Sequence, residues 1–217
     1  MGVYIQYGCG LSCPDGWINF DASPTLRLQQ LPVLGRFFRG GTTVFPANAR
    51  YGDIVKGLPV PDNSADGIFA SHVLEHLSLA DFWLALCNTF RLLKPGGIFR
   101  LIVPDLEARA RIYLQKLESG DVDANTWLMR TAGIGVERRD RSLEGMARLV
   151  LGNSAHLWMW DEKSMAAALY EAGFVDVRRC HCNDSTDAAF RLVEDPGRFF
   201  DQSAQLRECA MEAHKPR

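Results

Sequence analysis

The chain has 217 residues, 47% of them hydrophobic and 23% charged, with 24 basic against 26 acidic side chains for a formal net charge of -2. That apolar content closes a core at this length without disulfide or metal staples. The near balance of charge and the absence of a long basic run exclude an electrostatic footprint for nucleic acid, and no apolar run reaches the roughly 20 residues of a membrane span. No secretory-leader pattern precedes the first apolar run, and Gln6 stands where a myristoylation motif needs Ser or Thr. Six cysteines in a chain of this size make no disulfide framework, so a cytoplasmic, reducing setting is expected.

In chain order, Val3 to Tyr7 is β-rich and runs into Gly8-Cys9-Gly10, and a second short run, Trp17 to Phe20, ends at Asp21. Pro32 and Gly35 break any long helix between Leu26 and Phe38. Asp66 to Leu74 reads as a buried strand opening into a loop, followed by Leu79, Phe82, Trp83, Leu86, Phe90 and Leu93 at the spacing of one helix face. Lys94-Pro95-Gly96-Gly97 stops that helix, because a residue before proline avoids the helical region and glycine permits the reversed turn. Ile98 to Val103 is the next strand, apolar apart from Arg100. Residues 106–160 read as mostly helical, with a charged loop from Glu137 to Arg141. Asp161 caps a helix that carries Met165 and Leu169 and ends at Gly173, and Val175–Arg179 and Leu206–Glu212 read as closing strands.

Strands apolar on both faces and alternating with helices predict a parallel sheet between helical layers. The expected architecture is a single α/β domain, a Rossmann-like three-layer sandwich. Its mostly parallel seven-stranded sheet carries an antiparallel edge strand. In such sheets ligands bind beyond the carboxyl ends of the strands. Gly8 and Gly10 follow the first strand without side chains to block a ligand. Asp21 ends the second, where a carboxylate can accept both hydrogen bonds of a ribose diol or simply form a turn before Ser23-Pro24. Only Leu11 to Gly16 separates the glycine pair from the second run, shorter than the dozen or so residues of an ordinary parallel crossover.

The ordered series Gly8-Cys9-Gly10, Gly16 to Asp21, Leu58 to Asp66, His72-Val73-Leu74-Glu75-His76, Leu93 to Gly97 and Val103-Pro104-Asp105 resembles the class I S-adenosylmethionine-dependent methyltransferases. Within them it is similar to the small bacterial type 11 branch, and the resemblance returns from His156 to Val177. It implies S-adenosyl-L-methionine as cofactor. Gly8, Cys9 and Gly10 would lie at its methionine part, Asp21 at the ribose hydroxyls, Asp53 and Ile54 at the adenine, and Ser71 and His72 beside the sulfonium. It also implies a transferase (EC 2.1.1.-) whose acceptor is small or medium-sized, with a sugar or polysaccharide-pathway intermediate as one candidate.

Methyl transfer is an in-line displacement in which positioning dominates, and a base is needed only for a hydroxyl or protonated amine acceptor. The candidate bases are His72, Asp105 and His156, with helix capping open for Asp105 and a core position open for His156. His76 with Glu75 reads as a structural hydrogen-bonding pair. The 106–160 insertion leaves the functional end of a strand and is expected to form the substrate lid, with Tyr113, Trp127 and Arg139 as contacts. Cys9, Cys13 and Cys180-His181-Cys182 lack paired zinc-ligand spacing and read as free thiols, so no metal is expected. A non-catalytic methyltransferase-like binding or regulatory module is the competing class. A nicotinamide dehydrogenase fits poorly, because the third glycine and following helix of its fingerprint are missing.

Overall fold

The computed structural model describes residues 2–32, 44–138 and 155–217. The described strands are β1 (Tyr4–Tyr7), β2 (Ile18–Asp21), β3 (Ala49–Tyr51), β4 (Ala65–Ser71), β5 (Leu93–Val103), β6 (Val175–Arg179), β7 (Phe200–Asp201), β8 (Leu206–Arg207) and β9 (Cys209–His214). The helices are α1 (Pro24–Gln29), α2 (Leu79–Leu92), α3 (Leu106–Glu118), α4 (Ala124–Thr131) and α5 (Glu162–Glu171). Seven strands form one sheet in the order β3-β2-β1-β4-β5-β9-β6, while β7 and β8 pair separately.

The run from β3 to β5 is parallel throughout, and β9 pairs antiparallel with both β5 and β6. The antiparallel strand therefore lies one place in from the edge, which β6 occupies. The short connection between β1 and β2 is a parallel crossover, with Ile5 opposite Ile18 and no helix between them. Hence no helix N-terminus follows β1. The expected strand over 206–212 is two elements: Leu206–Arg207 pairs with β7, and the sheet strand begins at Cys209.

Side chains alternate across β5, as a strand's period of two requires. Phe99, Leu101 and Val103 join Phe82 and Leu86 of α2 and Met165 and Leu169 of α5 in one core. Ile98 and Ile102 face a second core with Trp17, Phe69, Cys180 and Phe190. The covering layer over this second face is irregular chain with a short 3-10 turn at Ala188–Leu192. Ser78 and Asp161 cap α2 and α5 through their side-chain oxygens, and Asp161 with Ser164 completes a reciprocal capping box.

Candidate functional site

A cavity of about 680 Å³ opens at the carboxyl ends of β1, β2 and β4, within the range of small-molecule sites. Gly8, Asp21, Asp53, Ile54 and His72 all line it. Gly8 has φ +68, and a Cβ there would stand 2.1 Å from Val73 Cγ2, so only glycine lets the chain turn against that loop. Gly10, at φ +53, has open space where a Cβ would be. Asp21 Oδ2 accepts the Gly10 N–H and Oδ1 the Ser23 N–H, both at 2.8 Å. Two backbone donors thus fix the carboxylate, and each oxygen keeps a lone pair for the cavity.

Ile54 is buried and gives the cavity an apolar wall. Asp53 is more committed than the sequence suggests: Oδ1 accepts the Val55 N–H at 3.0 Å, and Oδ2 pairs with Lys56 Nζ at 2.8 Å. Cys9 and Ser71 do not line the cavity. Cys9 is buried against Cys13, with the sulfurs 3.5 Å apart, and burial pushes its thiol pKa well up. Ser71 Oγ is buried without a hydrogen-bond partner. A backbone-held carboxylate, an apolar slot and a glycine-lined entry together fit a nucleoside-sulfonium cofactor.

A second cavity of about 400 Å³ shares His72 with the first and is lined by Arg109, Thr131, His156 and the stretch from Gly197 to Ser203. His72 has φ +54, a left-handed conformation that costs a non-glycine residue about 1–3 kcal/mol and turns its ring back over the strand end. Its Nε2 lies 3.0 Å from the Arg198 carbonyl, and its Nδ1 lies 3.3 Å from Glu75 Oε1. Burial disfavours its charged form, but Glu75, the Arg198 carbonyl and Glu208 outweigh it and hold its pKa above the ordinary value. The Arg198 carbonyl on one nitrogen and Glu75 beside the other fix the orientation of the ring.

His156 Nδ1–H donates to the Ala132 carbonyl at 2.7 Å, and burial lowers its pKa, leaving a neutral ring with Nε2 available. Asp105 is 3% exposed: Oδ1 caps α3 at the Ala108 N–H (3.0 Å), and Oδ2 accepts from Arg179 (3.1 Å). Of the two readings open for Asp105, its geometry is that of the cap. Tyr113 on α3 and Trp127 on α4 line neither cavity, and the Trp127 ring lies under Lys116 Nζ at 5.8 Å. Arg139 lies outside the described residues. Sequence reasoning missed the Gly197–Ser203 wall, where a 3-10 turn and the two-residue β7 are too short to show a periodicity. It also missed the burial of Glu75, which is 0% exposed.

Residues 37–101 match the family model described as a methyltransferase domain. No curated protein matches the chain. Among solved structures, a SAM-dependent methyltransferase from Thermotoga maritima is 15% identical with a TM-score of 0.50, over 99% of this chain and 83% of that one. The Haloferax volcanii protein solved in complex with the Trm112 methyltransferase activator is 16% identical with a TM-score of 0.50, over 100% and 83%. At these identities the likeness is one of fold. The fold is that of the methyltransferases solved in these structures. The matched segment runs from ahead of β3 into β5 and spans 65 of the 217 residues.

Proposed function

We propose that the protein transfers a methyl group from S-adenosylmethionine to a small or medium-sized acceptor, with a sugar hydroxyl or amine as one candidate. The observation that carries this reading is Asp21: a carboxylate at the tip of β2, held by two backbone donors and facing a cavity of nucleoside size. The cofactor would lie along Gly8, Asp21 and Ile54, with its sulfonium toward His72. The acceptor would enter the adjoining cavity and meet His156. In-line attack forms the bond from acceptor oxygen or nitrogen to the methyl carbon, the carbon–sulfur electron pair returns to sulfur, and the acceptor's proton leaves to solvent.

Residues 106–160 act in this reading as the acceptor-side wall through Arg109, Thr131 and His156, together with the chain after Gly197. The six cysteines are free, which suits a reducing, cytoplasmic setting. No helix among the described residues is long and apolar enough to cross a membrane. Calorimetry with S-adenosylmethionine, S-adenosylhomocysteine and NAD tests the assignment. Micromolar binding of the first two and none of NAD is expected, together with radiolabel transfer from the methyl donor to saccharide acceptors. Binding without turnover on any acceptor would favour a regulatory module, and no binding would overturn the reading.

A further inference from the structure

Glu75 sits in the turn after β4, fully buried, with neither carboxylate oxygen in a hydrogen bond. Its nearest charged neighbour, His72 Nδ1 at 3.3 Å, is at ion-pair distance without hydrogen-bond alignment. With His72 beside one oxygen and no hydrogen bond to either, this buried carboxylate has acceptor capacity left over, and buried carboxylates are normally hydrogen-bonded, paired or bound to a metal.

Two imidazoles converge on this carboxylate. His76 Nδ1 lies 3.1 Å from the Ala155 carbonyl, and His156 Nδ1 lies 2.7 Å from the Ala132 carbonyl. A carbonyl only accepts, so both rings carry a proton on Nδ1, and Nε2 is the atom that can ligate. A backbone-fixed tautomer of this kind is the usual outer support of a metal-binding histidine. The rings stand 4.9 Å apart, His76 Nε2 is 3.9 Å from Glu75 Oε1, and one ligand atom from each of the three residues lies within 4.8 Å of the others.

The backbone holds the group together. The Leu157 and Trp158 N–H groups both donate to the Glu75 carbonyl, at 2.7 and 3.2 Å. Gly133, at φ +65, lets the His156 ring lie where a Cβ would be only 2.6 Å from Nδ1.

We infer that Glu75, His76 and His156 bind a divalent transition-metal ion. Two imidazoles and one carboxylate suit zinc, manganese or iron(II) rather than magnesium or calcium, and leave open coordination positions. Ligands about 2.1 Å from an ion stand at most about 4.2 Å apart, so the side chains need to draw in by about half an ångström. His156 lines the acceptor cavity and His76 the cofactor cavity, which puts the ion at their junction. Its use there rests on the methyltransferase reading. An acceptor hydroxyl bound to the ion gives its proton to solvent more readily, and the resulting alkoxide attacks the methyl carbon.

The test is calorimetry of EDTA-treated protein with zinc, manganese and magnesium chlorides, with a separate titration of S-adenosylhomocysteine. About one zinc or manganese ion per chain is expected, with no magnesium bound at the same concentration. Glu75→Gln and His156→Ala should each weaken binding by about 100-fold or more, whereas His181→Ala, outside the cluster, should not. On the unaltered chain, zinc should protect His76 and His156 from diethylpyrocarbonate while exposed His181 stays reactive. That protection decides the matter if a variant fails to fold. No ion bound, affinity unchanged in His156→Ala, or no protection overturns the inference. Nucleoside binding without metal binding overturns the ion alone; metal binding without nucleoside binding overturns the methyltransferase reading alone.

Discussion

Asp21 ends β2 and Asp105 follows β5; both are carboxylates, and their neighbours give them different work. Each Asp21 oxygen takes one backbone N–H and keeps a lone pair toward the cavity. Asp21→Ala should weaken S-adenosylhomocysteine binding by about 1–3 kcal/mol, or roughly 5- to 150-fold in Kd, with Asp21→Asn between the two in calorimetry. Asp105 instead spends one oxygen on the first turn of α3 and the other on Arg179. Asp105→Ala should therefore lower stability to urea by about 1–2 kcal/mol, as loss of a cap does, without altering the pH profile of methyl transfer. Loss of the basic limb of that profile would instead make Asp105 the base. Pro104-Asp105 after a strand carries both meanings in sequence, and only the position of Arg179, 74 residues on, separates them.

At the scale of elements, β5, β9 and β6 are joined by a buried ionic row. Arg100 and Glu212 lie directly opposite in register and form an ion pair, Arg178 faces Glu212 from the other side, and Glu194 and Asp184 close around Arg100. Arg100 is 1% exposed, and removing it strands carboxylates rather than merely breaking a contact. Arg100→Met should cost about 3–5 kcal/mol in urea unfolding. Burial works against the Asp184 carboxylate, but Arg178, the His181 N–H and Arg100 overcome it and depress its pKa to about 2. Because the folded value lies below the unfolded one, Asp184 contributes stability that is full above about pH 4 and is lost as pH falls toward 2. Asp184→Asn should flatten the acid limb of the melting-temperature profile in that window. The apolar runs made β1, β4, β5 and α2 legible, because buried strands and one-faced helices write their burial into residue order. Arg100 stood out as the one charge in such a run, but its partners are 84 to 112 residues away and nothing local names them.

At the scale of the whole molecule, the two cavities meet at His72, and their walls have different origins. The larger cavity is built from the ends of β1, β2, β3 and β4; Gly8 and Asp21 were legible as residues at strand ends, whereas Ile54 was singled out only through the family resemblance. The second cavity joins α3 and α4 to the chain around β7 and β8 through Arg109. That buried side chain binds Glu208, Asp201 and the Thr131 carbonyl. Long-range side-chain contacts make this wall, which is why Tyr113 and Trp127, chosen for their chemistry along the helices, fall outside it. If the acceptor enters there, filling it should separate the two binding events. Gln202 is exposed and lines the second cavity only, so a large side chain fits there without disturbing the core. Gln202→Trp should leave the S-adenosylhomocysteine Kd within about twofold while raising the acceptor KM about tenfold or more, the worth of roughly 1.4 kcal/mol. Steady-state kinetics on the best saccharide acceptor, beside calorimetry of the same preparation, reads both. An unchanged KM would put the acceptor's path elsewhere, and a parallel loss of nucleoside affinity would mean that the two cavities bind as one.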